Sequence, residues 1–138
     1  MSSATLPRRV RSAGLALPHD VSAVGTARRA LDRYLQGSNV EADRRHDARL
    51  VLTELISNAI RHAPPLASGD LDVGWGLDRG NIYLEVTDGR GTTEPHQIAT
   101  AHPESIGGRG LAIVSVLTSN WGVRLESGTR TVYAVLPR

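Results

Sequence analysis

Glu54 and Asn58 are the first residues whose types and spacing could serve a catalytic or binding site. They lie within residues 47–63, where apolar positions recur every three or four residues and so predict an amphipathic helix. Residues four apart stack on the same side of a helix, here beside the apolar arc, where both polar groups can face a cleft. Two polar residues at the boundary of a core give the same pattern, so this helix alone leaves both interpretations open.

Asp88 ends a predicted strand and is followed by Gly89 and Gly91. A carboxylate at a strand end can accept a hydrogen bond from an exocyclic amine, and glycines leave room for a flat ring. Ordinary turn chemistry also accounts for these residues. Thr131, which enters the last predicted strand, is equally consistent with a ligand contact and with a simple β-forming residue.

Gly108-Arg-Gly110 precedes a predicted helix and could form a phosphate cradle. Glycines let the backbone approach an anion, and a helix N-terminus adds unpaired N–H groups and a positive dipole end. Glycines also cap helices and end loops. The stretch does not match the dinucleotide fingerprint, because Ile113 stands where the third glycine would be.

The composition excludes several classes of site. The chain has 138 residues, enough for one domain with a sizeable core, and no cysteine, so disulfides, thiolate-bound zinc and thiol nucleophiles are absent. All 16 basic residues are arginine. A Walker A loop and the nucleotide site of eukaryotic-type protein kinases both need a lysine, so ATP binding would require a fold that uses none.

Charge and hydropathy limit the kinds of partner and the location that we expect for the chain. The formal net charge is +2 and acidic residues are interspersed among the arginines, so we expect no direct nucleic-acid binding despite a pI of about 9.7. No apolar run is long enough to span a membrane, and the N-terminus lacks the apolar segment of a signal peptide. These features favour a cytoplasmic protein.

Periodicity predicts the order strand, two helices, hairpin, long loop, helix and hairpin. The predicted elements are a strand over 8–17, a helix from Asp20 or Ser22 to Gly37, a helix over 42–62, strands over 70–77 and 82–87, a loop over 89–107, a helix from 107–110 to Leu117, and strands over 121–126 and 131–136. We expect an α+β two-layer sandwich, a mainly antiparallel mixed sheet with three helices on one face. Residues 1–7 are predicted to be disordered and residues 8–138 to form a single domain.

The order of these features is more specific than any one of them. A helical Glu-x-x-x-Asn is followed by Asp-Gly at a strand end, a long loop, Gly-x-Gly opening a helix and a Gly-Thr hairpin. That order resembles the histidine-kinase-like ATPase (Bergerat or GHKL) fold, over roughly residues 13–136. Within it the chain looks most similar to the small anti-sigma-factor serine/threonine kinases. Sensor histidine kinases and gyrase-type relatives have further domains, which we do not expect in a chain of this length.

The resemblance implies a catalytic and a base-binding group. Glu54 would be the general base that activates the nucleophile, and Asn58 would hold the Mg²⁺ that bridges the phosphates of ATP. Asp88 would read the adenine amino group, with Gly89 and Gly91 in the first glycine box.

The resemblance also implies how the rest of the nucleotide would be held. Residues 89–107 would form the ATP lid, and Thr131 would lie near adenine. The second glycine box around the phosphates would consist of Gly108, Arg109, Gly110 and Leu111. With no lysine, Mg²⁺, the helix dipole and arginines such as Arg109 would compensate the phosphate charge.

The first glycine box departs from the family pattern. The family usually has Asp-x-Gly-x-Gly, whereas this chain has Asp88-Gly-Arg-Gly-Thr92, so Arg90 and Thr92 occupy the usual glycine positions. A side chain at position 90 would narrow the adenine pocket or redirect the lid.

The leading hypothesis is an ATP- and Mg²⁺-dependent serine/threonine protein kinase of the anti-sigma type, which transfers the γ-phosphoryl group to a small antagonist protein. The alternative is a non-catalytic module that binds its partner with weak or no nucleotide binding, and the displaced glycine box favours it. The expected partners are a sigma factor, an anti-sigma-factor antagonist, or both. The edge strand near residues 10–17 suggests a homodimer.

Overall fold

Alternating apolar residues and helical repeats form eight elements in the structure, a computed structural model that describes residues 11–90 and 109–138 and, for 109–111, the backbone only. They are β1 (Ala13–Pro18), α1 (Ser22–Gly37), α2 (Ala42–His62), β2 (Asp70–Leu77), β3 (Asn81–Asp88), α3 (Arg109–Leu117), β4 (Asn120–Glu126) and β5 (Thr129–Pro137). The predicted order of elements is confirmed, with strand ends shifted by one or two residues for β3, β4 and β5. β1 begins at Ala13, and the earlier part of its predicted span includes residues 8–10, which lie outside the described residues, as do residues 1–7 and 91–108.

The five strands form one open sheet in the order β1-β2-β3-β5-β4, and every pairing is antiparallel. The last strand in the chain thus lies between β3 and β4. This register places Asp88 opposite Arg130 and Thr87 opposite Thr131 at the end of β3. The α+β fold class predicted from the sequence is confirmed.

The hydrophobic core lies between one face of the sheet and the helices. Alternate residues of the strands point toward it and are buried: Leu71, Val73, Trp75, Ile82, Leu84, Val86, Val132, Ala134 and Leu136. The helices contribute Ala23, Ala27, Leu31, Leu35, Ala48, Val51, Leu52, Leu55, Ile56 and Ala59. The core contains no phenylalanine because the chain has none. Its area is supplied by aliphatic side chains that fix α2 against β3 and β5.

The end of α2 is set by its sequence. Ala63 donates the last helical hydrogen bond, to the carbonyl of Ala59 at 3.1 Å. Pro64 and Pro65 then follow, and proline has no backbone N–H with which to continue the helix. The segment after α2 therefore turns back toward the sheet, where Gly89 donates a 2.9 Å hydrogen bond to the carbonyl of Pro64.

The opposite face of the sheet, here called the outer face, carries a polar network. The Arg11 guanidinium donates to Asp72 at 2.7 and 3.1 Å and to Glu85 at 2.8 Å, and these carboxylates raise the pKa of Arg11. The hydroxyls of Thr87 and Thr131 are 2.7 Å apart on this face. The network borders an open groove of about 570 Å³ in which its charges are already paired with one another.

Candidate functional site

α2 holds Glu54 and Asn58 one helical turn apart, as the sequence predicts. The residues between and beside them, Leu55, Ile56 and Ala59, are fully or almost fully buried and anchor the helix. Glu54 is half-buried, and its carboxylate has no ion-pair or hydrogen-bond partner among the described residues. A carboxylate in this position is free to accept a proton from a bound group.

Asn58 is 3% exposed, and its Oδ1 atom has no hydrogen-bond partner among the described residues. A buried polar atom left without a partner costs roughly 1–3 kcal/mol. Such an atom is available to accept a further bond. An amide oxygen is a suitable ligand for Mg²⁺, which commonly takes few protein groups and fills its octahedron with phosphates and waters.

The described acidic and histidine residues form no metal site made of protein ligands alone. Within residues 11–90 and 109–138, no group of three or more His, Asp or Glu side chains is arranged to hold an ion. A Mg²⁺ ion at Asn58 would therefore depend on the phosphates of a nucleotide. This part of the site fits the cofactor that the family resemblance implies.

Asp88 is fully buried, and both of its oxygens are already hydrogen-bonded within the chain. Oδ2 accepts from Nη2 of Arg130 at 2.6 Å and from Nε at 3.1 Å, while Oδ1 accepts from the backbone N–H of Arg90 at 3.1 Å. Burial raises the pKa of Asp88, and the Arg130 guanidinium and the Arg90 N–H oppose that rise. The carboxylate thus forms an internal ion pair with Arg130 and has little remaining capacity to hydrogen-bond a nucleotide base.

Arg130 was not among the residues predicted from the sequence. It is 3% exposed and lies on the helix side of β5, directly opposite Asp88. Its charge also reaches the end of α2: burial first, then Arg61 and Arg130, lower the pKa of His62. The signal that could have found it is strand alternation, since Arg130 shares a face with the apolar Val132 and Ala134.

Thr131 lies on the other side of the sheet from Asp88. Neighbouring residues of a strand point to opposite faces, so the register that pairs Asp88 with Arg130 turns Thr131 to the outer face. There its hydroxyl bonds that of Thr87. The structure therefore does not bring Thr131 together with Asp88, and its expected place near adenine stays a prediction.

The first glycine box is closed against the segment that follows α2. A Cβ added at Gly89 would overlap the carbonyl oxygen of Pro65, so only glycine fits this close approach. Arg90 has a φ of 37°, in the left-handed region that favours glycine. The conformation expected of a glycine is thus present at position 90, but an arginine adopts it.

The second glycine box is described only in part. Arg109, Gly110 and Leu111 form the first turn of α3, which packs against α2. This agrees with the prediction that a helix begins at these residues. Gly91 and Gly108, and the predicted lid apart from residues 89 and 90, lie outside the described residues.

Comparisons with known proteins agree with this architecture. Residues 17–136 match the family model of the histidine kinase-like ATPase domain. The structure is similar to that of the RsbU and RsbW domains of Rv1364c from Mycobacterium tuberculosis, with a TM-score of 0.65 and 21% identity over 92% of this chain. The chain spans 33% of the length of that Mycobacterium chain.

A second similar structure is the SiaB–SiaC complex from Pseudomonas aeruginosa. It has a TM-score of 0.67 and 16% identity, and the match covers 94% of this chain and 91% of the other. At these identities both likenesses concern the fold. No curated protein sequence matches this chain significantly. None of the helices in the described part of the chain is long and apolar enough to cross a membrane.

Proposed function

The chain belongs to the histidine kinase-like ATPase family, and we propose that it is an ATP-binding regulator of the anti-sigma-factor type that phosphorylates a serine or threonine of a small antagonist protein. The observation that carries this proposal is the pair on α2. A half-buried carboxylate, Glu54, stands one turn from Asn58, whose buried carbonyl oxygen has no partner among the described residues.

The proposed reaction is an in-line transfer. The hydroxyl oxygen of the partner protein bonds to the γ-phosphorus of ATP, the bond from that phosphorus to the β–γ bridging oxygen breaks, and ADP leaves with the electron pair. Glu54 accepts the hydroxyl proton.

Asn58 would hold Mg²⁺ through Oδ1. When bound, Mg²⁺ neutralises charge on the β- and γ-phosphates. The backbone N–H groups of the first turn of α3, with Arg109 in that turn, would add positive charge beside the phosphates.

A protein partner is supported by the structures that this chain resembles. One of them is a complex of SiaB with a second protein, SiaC, and the other contains an RsbW domain in a longer chain. We therefore propose a protein antagonist as the phosphate acceptor, with a sigma factor as a second binding partner. The cytoplasmic location and the homodimer expected from the sequence are part of the same proposal.

A second candidate function is favoured by the hydrogen bonds of Asp88, the residue that was expected to bind the adenine base. Because both oxygens of Asp88 are used within the chain, a module that regulates by binding its partner, with weak or no nucleotide binding, would need no further change. The two candidates differ in whether Mg-ATP binds and whether its γ-phosphoryl group is transferred.

The test is titration of the full chain with Mg-ATP, followed by transfer from γ-labelled ATP to proteins of a soluble extract of the source organism. We expect the wild type to bind Mg-ATP and to label serine or threonine of one small protein. Glu54→Gln should lower the transfer rate about 100-fold while leaving the Kd for Mg-ATP within roughly twofold, because the base acts only on the hydroxyl proton. Asn58→Ala should weaken Mg-ATP binding itself.

The matched control is Glu126→Gln, the same change on an exposed residue at the outer face. It should leave binding and transfer unchanged. If the wild type binds no Mg-ATP at millimolar concentration, the kinase proposal fails and the partner-binding module replaces it. If it binds Mg-ATP but Glu54→Gln transfers phosphate at the wild-type rate, Glu54 is not the base.

A further inference from the structure

The hydrogen bonds within the chain leave Asp88 little capacity to bind a nucleotide base. An ionised carboxylate only accepts hydrogen bonds, and this one already accepts three, two from Arg130 and one from the Arg90 N–H. Its side chain is fully buried and that of Arg130 is 4% exposed. A purine amino group could use only the remaining lone pair of Oδ1, on a buried carboxylate whose charge Arg130 already compensates.

The arginine is held in place by the fold and not by a flexible loop. Arg130 lies within β5, which is hydrogen-bonded to β3 on one side and to β4 on the other. The pairing of Asp88 with Arg130 follows from the same register that places Leu84 opposite Ala134 in the core. Shifting Arg130 by one residue would turn the whole apolar face of β5 outward.

The backbone that follows α2 packs against Gly89, the residue after Asp88. The carbonyl oxygen of Pro65 lies against Gly89 where a Cβ would be, and the Gly89 N–H is bonded to Pro64. The imidazole of His19 is hydrogen-bonded to the carbonyl of Ala63 at 2.8 Å and ties this segment to the loop before α1. The space beside the Cα of Gly89 is therefore occupied by the carbonyl of Pro65, and the Asp88 carboxylate itself is covered by Arg130.

The phosphate side of the site contrasts with this closure, because the Asn58 oxygen has no partner among the described residues. We infer that Arg130 is the specificity-determining residue of the nucleotide site: it withholds Asp88 from the base, so the chain binds a nucleotide through Mg²⁺ and the triphosphate without distinguishing a 6-amino from a 6-oxo purine. This inference rests on the proposed function, since it concerns the nucleotide of that same site.

Inosine triphosphate is the probe for this inference, because it differs from ATP in carrying an oxygen in place of the 6-amino group. Calorimetric titration of the wild-type full chain should give Kd values for Mg-ATP and Mg-ITP within about threefold of each other, since a discriminating hydrogen bond to a charged group would give about tenfold or more. This measurement needs no variant.

Arg130→Thr is the variant that should create discrimination. It places a β-branched residue, which strands favour, in β5 and removes the guanidinium, which leaves Asp88 available to an amino group. We expect Mg-ATP to bind about tenfold more tightly than to the wild type, and Mg-ITP to gain little. Arg124→Thr, the same change in β4 at the outer face, should leave both Kd values unchanged; circular dichroism and thermal unfolding establish that each variant is folded.

Two results would overturn the inference. One is a wild-type preference of about tenfold or more for Mg-ATP over Mg-ITP, which would mean that the base is read despite Arg130. The other is a folded Arg130→Thr protein whose Kd values equal those of the wild type. If Arg130→Thr does not fold, the wild-type comparison of the two nucleotides decides alone.

The outcomes separate this inference from the proposed function. Phosphate transfer by a wild type that prefers Mg-ATP over Mg-ITP would support the kinase and overturn the role of Arg130. A gain of Mg-ATP affinity in Arg130→Thr without transfer by either protein would support the role of Arg130 and overturn the kinase.

Discussion

The two ends of the candidate site both contain buried polar side chains. They differ in whether other groups of the chain hydrogen-bond those side chains. At α2, a buried amide oxygen of Asn58 has no partner among the described residues, and the Glu54 carboxylate nearby is likewise unpaired there. At the end of β3, the buried Asp88 carboxylate accepts three hydrogen bonds from its own chain. The first arrangement leaves these atoms unpaired among the described residues, whereas the second is satisfied by its own chain.

The difference shows why a fold match does not determine a ligand. Both ends lie on elements that the histidine kinase-like ATPase family model covers. What separates them is one residue, Arg130, whose side chain satisfies a carboxylate that would otherwise face the site. In this chain the residue expected to bind the base is therefore part of a buried ion pair, while the polar residues of α2 stay unpaired among the described residues.

The largest expected effect comes from removing the Asp88 carboxylate, which is paired with Arg130 at the end of β3. Asp88→Ala leaves the Arg130 guanidinium buried without its counter-charge and should lower the free energy of unfolding by about 3–5 kcal/mol. Asp72→Ala on the outer face should lower it by less than about 1 kcal/mol, because Arg11 is 30% exposed there and keeps Glu85.

Chemical denaturation of the two variants and the wild type measures this contrast. Equal losses in both variants would contradict the view that Asp88 and Arg130 form a buried structural pair. A second control is the pair Asp88→Asn and Asp72→Asn, which keeps the side-chain volumes and removes only the charges. The larger loss should again follow position 88.

A smaller effect on stability, of opposite sign, is expected at Asn58 on α2. Asn58→Leu keeps the branched shape of the side chain and removes a buried polar group that has no partner among the described residues, so the nucleotide-free protein should become more stable by about 1 kcal/mol. The same change should weaken Mg-ATP binding. Thermal unfolding with and without Mg-ATP measures both effects, and a loss of stability in the absence of nucleotide would show that the amide is already satisfied.

The sequence predicts the positions of Glu54 and Asn58 better than the pairing of Asp88 with Arg130, and the reason is physical. The placement of Glu54 and Asn58 depends on helical periodicity within residues 47–63, which is local and was confirmed by α2. The pairing of Asp88 with Arg130 joins residues 42 apart through the register of β3 with β5. A shift of one residue in that register would have placed Thr131 there instead.

The glycine box illustrates the same limit. The sequence shows that Arg90 stands where the family usually has glycine, and it predicts a changed pocket. The left-handed φ of Arg90 and the contact of Gly89 with Pro65 emerge only when the segment after α2 is folded against the end of β3. Local turn chemistry does not specify which backbone carbonyl will approach a glycine.

The smallest expected effect concerns His62 and tests where the charge of Arg130 lies. Burial, then Arg61 and Arg130, lower the pKa of His62 below its ordinary value. In Arg130→Thr, one of the two positive charges is gone, so the pKa of His62 should rise toward that of a free histidine. Arg124→Thr should leave it unchanged, because Arg124 is not among the groups that shift it.

The sign of the linked pH dependence follows from that lowered pKa. The folded chain binds a proton at His62 less readily than the unfolded chain, so stability is fully present above the unfolded pKa and is lost as pH falls through the folded pKa. Arg130→Thr should reduce this loss. Titration of the His62 ring by NMR measures the pKa directly; an unchanged value in Arg130→Thr would mean that the Arg130 guanidinium does not act on His62.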